Sequence, residues 1–293
     1  LIKSKIKKVS PNSIKKIVNK LISSKRPVII AGWGIHLTKT EEQFLSLINQ
    51  LKIPVALTWG AADLIEEKNI LKVGTFGTHG NRFTNFTVQN ADFILSLGCR
   101  LDTKATGSPP ETFAKSAWKT IVDIDLDELK KYDKSNLNID CKVNSDLRDF
   151  LPIFMNHCLK VKDKIPNFES WINKISIWKQ KYNPLFESKS QNLKGINPYK
   201  IFSDLSKHIP DDAPIFIDTG CAIAWMMQSY KLKGKQRLFH DNNNTAMGWA
   251  LPASIAGACY KRNGPIVCIT GDGSLMMNIQ ELATLSYLKL PII

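Results

Sequence analysis

The sequence predicts an α/β fold built from two parallel-sheet, three-layer domains. Strand-length apolar runs alternate with stretches of helical periodicity, and each run is nearly continuous in apolar residues, as in strands covered on both faces. At 293 residues and 43% hydrophobic content the chain can bury more than one core. Between about 166 and 198 the texture turns polar and tryptophan-bearing, which separates two such cores.

The elements follow in order. Up to about residue 25 a helix is expected, with Pro11 in its first turn and Ile14, Ile17, Val18, Leu21 and Ile22 forming an apolar stripe. "RPVIIAGWG" (26–34) is a buried strand running into a glycine turn, "EEQFLSLINQL" (41–51) a helix and "IPVALTW" (53–59) a strand. "ADFILSLGCR" (91–100) is a helix end leading into a strand, and "KTIVDIDLD" (119–127) a strand with an acidic tip. In the polar stretch Trp171, Ile175 and Trp178 keep helical spacing, so a helix and then a loop are expected. Beyond it come a helix in "PYKIFSDLSKHI" (198–209), a strand in "APIFIDTG" (213–220) and a small-residue helix in "AMGWALPASIAGACY" (246–260). A strand in "PIVCIT" (265–270) follows, and "LKLPII" (288–293) reads as a strand just starting. The expected domains are 1–165 with its amino-terminal helix, a linker over 166–195, and 196–293.

Composition narrows the classes. No run of eighteen or more uncharged apolar residues occurs, and the basic start "LIKSKIKKVS" lacks the apolar core of a signal peptide, so a cytoplasmic protein without a membrane partner is expected. Cys99, Cys141, Cys158, Cys221, Cys259 and Cys268 form no C-x-x-C pair and read as reduced thiols. The net charge of +14 comes from lysines scattered over "KSKIKK", "ELKKYDK", "LKVKDK" and "YKLKGK", a pattern of solvated faces rather than of a nucleic-acid surface. His79, His208 and His240 belong to no visible motif.

The chemistry concentrates after "PIVCIT", in Gly271-Asp272-Gly273-Ser274. Glycines at the mouth of a parallel strand let backbone N–H groups approach a diphosphate, and a carboxylate there can hold a divalent cation bridging phosphate oxygens. Alone, the tetrapeptide fits a structural turn as well as a metal site. Together with "NTAMGWALPASIAGA" upstream, however, "TGDGSLMMNIQELATLSYLKLPI" resembles the thiamine-diphosphate domain of acetolactate synthase-like enzymes. "GTFGTHGNRFTNFTVQNADFILSLGCRLDTKATG" and "VDIDLDELKK" resemble that family's central nucleotide-binding domain, so the likeness spans nearly all of 26–293.

The resemblance implies that Asp272 ligates Mg²⁺, that Gly271, Gly273 and Ser274 hold the diphosphate of thiamine diphosphate, and that Met247 wedges beneath the cofactor. Thr245 stands where many relatives carry glycine, its carbonyl facing the aminopyrimidine, and Gly220 and Cys221 fall on the diphosphate side. Asn278 reads as a cap for the turn. Cys221-Ala222-Ile223 replaces the common Gln-His-Gln and resembles enzymes encoded with bacterial surface-sugar pathways. In the central domain Gly74, Gly77, Gly80, Arg100, Asp102, Thr106, Gly107, Asp123 and Asp125 match positions around which acetolactate synthases fold a non-redox FAD. Relatives without flavin keep the same fold, so retained FAD and a purely structural domain both stand.

The implied activity is decarboxylation of a 2-oxo acid such as pyruvate and transfer of its two-carbon unit to an acceptor carbonyl. The catalytic glutamate of the family lies on an amino-terminal domain outside this chain, so the resemblance implies a fragment of a longer polypeptide, inactive alone. That glutamate comes from a neighbouring subunit, which implies a homodimer or homotetramer. The alternative is a nucleotide-binding or regulatory relative with a decayed thiamine site.

Overall fold

The computed structural model describes residues 9–189, 195–241, 243–260 and 264–293. The basic start, 1–8, and the 190–194 part of the segment read as a linker lie outside the described residues. The chain divides into two compact units, Leu1–Leu64 with Asn69–Asn183, and Ile65–Lys68 with Pro184–Ile293.

The first unit is built on six parallel strands: β1 (Pro27–Ala31), β2 (Val55–Leu57), β3 (Lys72–Thr75), β4 (Phe93–Leu97), β5 (Trp118–Asp123) and β6 (Cys141–Asn144). Their spatial order is β3-β2-β1-β4-β5-β6. Every residue of β1 and β4 is buried, which is why both read as unbroken apolar runs. Val28, Ile30, Ile94 and Ile121 face a core closed by Phe83, Val88, Trp171 and Ile175. On the opposite face the helices Pro11–Ile22 and Glu41–Leu51 pack on Leu147–Lys160. The amino-terminal helix buries Ile14, Ile17, Val18 and Leu21, the stripe expected from its spacing.

Strand order reverses direction between β1 and β4, the place where open α/β sheets leave a crevice at their carboxyl ends. Here the two backbones meet. A Cβ added at Gly32 would stand 2.1 Å from the carbonyl oxygen of Gly98, and the N–H of Gly34 donates to that same oxygen at 3.1 Å. Only glycine allows so close an approach.

The helix Glu169–Lys181, part of the stretch read from sequence as a linker, packs on this first unit through Trp171 and Ile175. The indole N–H of Trp171 donates to the Pro27 carbonyl at 3.2 Å, so an aromatic side chain closes the end of β1. Strands β3 and β6 have no counterpart in the sequence reading. Both are edge strands of four residues with polar members, too short and too mixed to stand out as apolar runs.

The second unit holds a three-stranded parallel sheet, β7 (Pro214–Ile217), β8 (Arg237–Phe239) and β9 (Val267–Ile269), in the order β8-β7-β9. Phe216 in the central strand packs with Ala250, Ala258 and Ile266. The helix Ala250–Tyr260 is shorter than the sequence reading, because 246–249 form a turn ahead of it. Ile292 pairs in parallel with Ile266 by a single bridge, the start of a further strand beside β9. Among the described residues no helix is long and apolar enough to cross a membrane.

Candidate functional site

In the second unit all three strands run parallel, so their carboxyl ends lie on one edge of the sheet. The residues that the sequence singles out fall there. Gly220 and Cys221 follow β7, Thr245 and Met247 follow β8, and Gly271, Asp272, Gly273 and Ser274 follow β9. Parallel α/β sheets bind ligands at this edge because helix amino-termini and loop N–H groups converge on it.

Several of these residues touch. A Cβ added at Gly273 would meet the methyl group of Met247 at 3.2 Å, so the methionine lies against the Gly-Asp-Gly turn. The side-chain amide of Asn278 donates to the Gly248 carbonyl at 2.7 Å. Asn278 also ends the helix Asp272–Met277, so its capping role comes with a tie across to the Met247 loop. Met247 itself is 47% exposed, an unusual surface for a thioether with no packing purpose.

Thr245 adopts φ +53°, the left-handed region that a β-branched residue enters only at a cost. The strain is supported from one side. Asp241 accepts from the N–H of Thr245 with its carbonyl and from the N–H of Ala246 with its carboxylate, both at 3.1 Å. Glycine would meet this left-handed backbone at no steric cost.

Gly271 has an ordinary extended backbone, φ −82° and ψ 163°, and a Cβ added there meets no heavy atom within 4 Å among the described residues. Neither conformation nor packing within the chain demands glycine at that position. Asp272 next to it is exposed, and one of its carboxylate oxygens accepts the Gly273 N–H at 2.8 Å. The described residues hold no group of three or more metal-ligating side chains. Mg²⁺ does not require one: it keeps several waters and is held by one or two carboxylates together with phosphate oxygens. A lone exposed carboxylate beside open glycine backbone therefore fits a magnesium-bound diphosphate. Cys221 is exposed at the start of the helix Cys221–Ser229, with Gly220 as its cap at φ +89°.

Asp218 and Thr270, which the sequence reading passed over, organise this edge. The carboxylate of Asp218 is 1% exposed. One oxygen accepts the N–H groups of Trp249 at 2.8 Å and Ala250 at 3.0 Å, and the other accepts the Thr270 hydroxyl at 2.7 Å. The available signal was an acid placed directly after the apolar run "APIFI".

The first unit treats its strand-end charges differently. Asp102 caps the helix Thr103–Thr106 by accepting from the Ala105 N–H, and Asp125 caps Leu126–Lys130 by accepting from Asp127 and Glu128. Asp123 accepts the Asp125 N–H at 2.9 Å, and burial raises its pKa above the ordinary carboxylate value. Arg100 pairs with Glu128, whose carboxyl is held below the ordinary range chiefly by that hydrogen bond. The Arg100 carbonyl accepts from both Lys131 and the Tyr132 hydroxyl. Gly77 passes so close to the Lys104 carbonyl that a Cβ would stand 2.4 Å from it. Arg100, Asp102, Asp123 and Asp125, the charged residues matched to a flavin site, thus each have a partner within the chain.

A second polar cluster in this unit had no sequence signal, because Asp63 lies 27 residues beyond His36 in the chain. His36 places its two ring nitrogens 2.8 Å from carboxylate oxygens of Glu41 and Asp63, and the Asp63 side chain is 1% exposed.

Two models of one family match the chain: "Thiamine pyrophosphate enzyme, central domain" over residues 14–152, and "Thiamine pyrophosphate enzyme, C-terminal TPP binding domain" over residues 218–293. The chain belongs to the thiamine pyrophosphate enzyme family. It is 30% identical over 97% of its length to a probable acetolactate synthase large subunit of Methanococcus aeolicus, covering 48% of that protein. It is 32% identical to the acetolactate synthase large subunit of Cyanidium caldarium, with 97% of this chain and 47% of that one aligned. For the Lactococcus lactis large subunit the identity is 29%, with 95% and 46% aligned. The chain spans about half the length of the curated relatives it matches. The match to the carboxyl-terminal domain begins at Asp218 and contains Gly220, Cys221, Thr245, Met247 and the whole Gly-Asp-Gly-Ser turn.

Proposed function

We propose that this chain carries the thiamine diphosphate- and Mg²⁺-binding edge of an enzyme acting on a 2-oxo acid such as pyruvate, which it decarboxylates before joining the two-carbon unit to an acceptor carbonyl. One observation carries the reading of the site: Gly271 is a glycine that the fold does not need, beside an exposed carboxylate at a parallel strand end. Backbone N–H groups at Gly271, Gly273 and Ser274 would bind the diphosphate, and Asp272 would hold Mg²⁺. Gly220 and Cys221 would line the diphosphate side, Met247 would support the cofactor from below, and the Thr245 carbonyl would accept from its aminopyrimidine. When bound, thiamine diphosphate supplies the nucleophilic carbon and the electron sink; the chain supplies placement and charge.

Similarity to acetolactate synthase large subunits supports the reaction class. The reading carries with it a cytoplasmic homodimer or homotetramer, because the resemblance implies that the glutamate activating the cofactor comes from a neighbouring subunit. A place among surface-sugar enzymes rests on Cys221-Ala222-Ile223 alone. In the first unit we favour a structural domain without FAD, since Arg100, Asp102, Asp123 and Asp125 are engaged within the chain.

The test is titration of the complete natural polypeptide with thiamine diphosphate and Mg²⁺, followed by tryptophan fluorescence. Saturable, Mg²⁺-dependent binding is expected in the wild type, and Asp272→Ala is expected to abolish the Mg²⁺ dependence while leaving the circular-dichroism spectrum unchanged. Wild-type affinity in the variant would remove Asp272 from the metal site. No binding by the wild type would favour a regulatory relative with a decayed site. The same preparation tests the flavin reading, which co-purifying visible flavin absorbance would overturn.

A further inference from the structure

Asp218 is a buried acid that makes no ion pair among the described residues; it directly follows β7 and bonds to segments that follow β8 and β9. Its own backbone N–H donates to Ile269, the last residue of β9, at 2.9 Å. Its carboxylate takes the two N–H groups at the start of Ala250–Tyr260, the helix reached from β8, and the Thr270 hydroxyl after β9. Such a carboxylate is acceptor-only, and the helix amino-terminus offsets its charge. The two loops it joins are those bearing Met247 on one side and Gly271-Asp272 on the other. Asn278, at the far end of the short helix that begins at Asp272, adds a second tie to the Met247 loop through Gly248.

We infer that Asp218 is a positioning residue that holds the Met247 loop and the Gly-Asp-Gly turn in register before any cofactor arrives, and so sets the affinity for thiamine diphosphate through them. This rests on the thiamine reading above for its ligand, but the clamp itself exists in the protein alone. Preorganisation of this kind acts on affinity because the ordering cost is met on folding rather than on binding. Asparagine at the position can reproduce the bonding. Its carbonyl oxygen accepts both N–H groups, and its amide donates to the Thr270 oxygen, whose hydroxyl turns to the Gly271 carbonyl, now 3.3 Å away.

The experiment uses the complete natural polypeptide with Asp218→Ala, Asp218→Asn and Thr270→Val. Thiamine diphosphate with Mg²⁺ is the titrant, and hydrogen exchange at the Trp249 and Ala250 amides is followed without cofactor. Asp218→Ala is expected to raise the Kd at least about tenfold, or about 1.4 kcal/mol, and to speed exchange at both amides. Asp218→Asn is expected to restore the affinity to within about threefold of wild type, and Thr270→Val to raise the Kd by a smaller factor than Asp218→Ala. Unchanged affinity in Asp218→Ala overturns the proposal. An asparagine variant as impaired as the alanine one overturns it too, by showing that charge rather than placement matters. Should Asp218→Ala fail to fold, Thr270→Val decides: wild-type affinity in that variant sinks the clamp. If the wild type binds no thiamine diphosphate, the functional reading fails, and the clamp stands or falls on amide exchange in Thr270→Val.

Discussion

The two sheets end in opposite ways. At the carboxyl ends of β1 and β4 in the first unit, chain meets chain, and a Cβ at Gly32 would collide with the Gly98 carbonyl. The acids nearby cap helices or pair with cations, as Asp102, Asp125, Asp146 and Glu128 do. At the carboxyl ends of β7 and β9 in the second unit, Gly271 faces open space, Asp272 is exposed and Met247 lies across the turn. The same topological edge is therefore spent on internal closure in one unit and left available in the other. A glycine required by its neighbours is structural, whereas a glycine its neighbours do not require points to something outside the chain.

The sharpest way to break that contrast is to add a methyl group at each kind of glycine. Gly32→Ala pushes a Cβ into backbone that cannot move aside cheaply, so urea unfolding is expected to show a loss of at least about 4 kcal/mol. Gly271→Ala is expected to stay within about 0.5 kcal/mol of wild type in the same measurement while weakening thiamine diphosphate binding. Comparable destabilisation by both substitutions would erase the distinction.

A smaller effect probes the self-contained charges of the first unit. Asp146 caps the helix Leu147–Lys160, and its hydrogen bonds to Arg148 hold its carboxyl below the ordinary carboxylate range although burial opposes them. A carboxylate whose pKa is depressed on folding adds stability above its unfolded pKa, about 3.9, and that contribution is lost as pH falls through the lower folded value. Asp146→Ala is therefore expected to cost about 1 kcal/mol near neutral pH, with the difference from wild type shrinking in acid. A gap that stays constant down the acid limb would mean that ionisation of the capping side chain adds nothing to its contribution.

The smallest expected change lies at the open edge. Thr245→Gly relieves a left-handed β-branched residue, a strain of about 1–2 kcal/mol, and gives back about 0.5–1 kcal/mol in chain entropy. The net gain is about 0.5 kcal/mol, visible as a slightly higher Tm. A lower Tm would show that the threonine side chain contributes something its single bond to the Asn244 carbonyl does not reveal.

How much could be read from residue order follows from how local each feature is. The central strands β1, β4 and β7 stand out as short apolar runs, since burial on both faces forces continuity into the sequence. The edge strands β3, β6 and β8 have no such constraint and left no run to find. The Glu169–Lys181 helix kept its tryptophan spacing but not its address: periodicity shows which face is apolar and is silent about which core receives it.

By itself, the sequence determined the two α/β units and the Gly-Asp-Gly-Ser turn, because each depends on patterns of residues close together in the chain. Tertiary structure alone decided that Asp218 ties the start of the helix Ala250–Tyr260 to the turn after β9, that His36 reaches Asp63, and that Gly32 is crowded where Gly271 is not. Those are facts about distance between segments far apart in sequence, and a hydrogen bond or a steric limit exists only once folding has brought its two sides together.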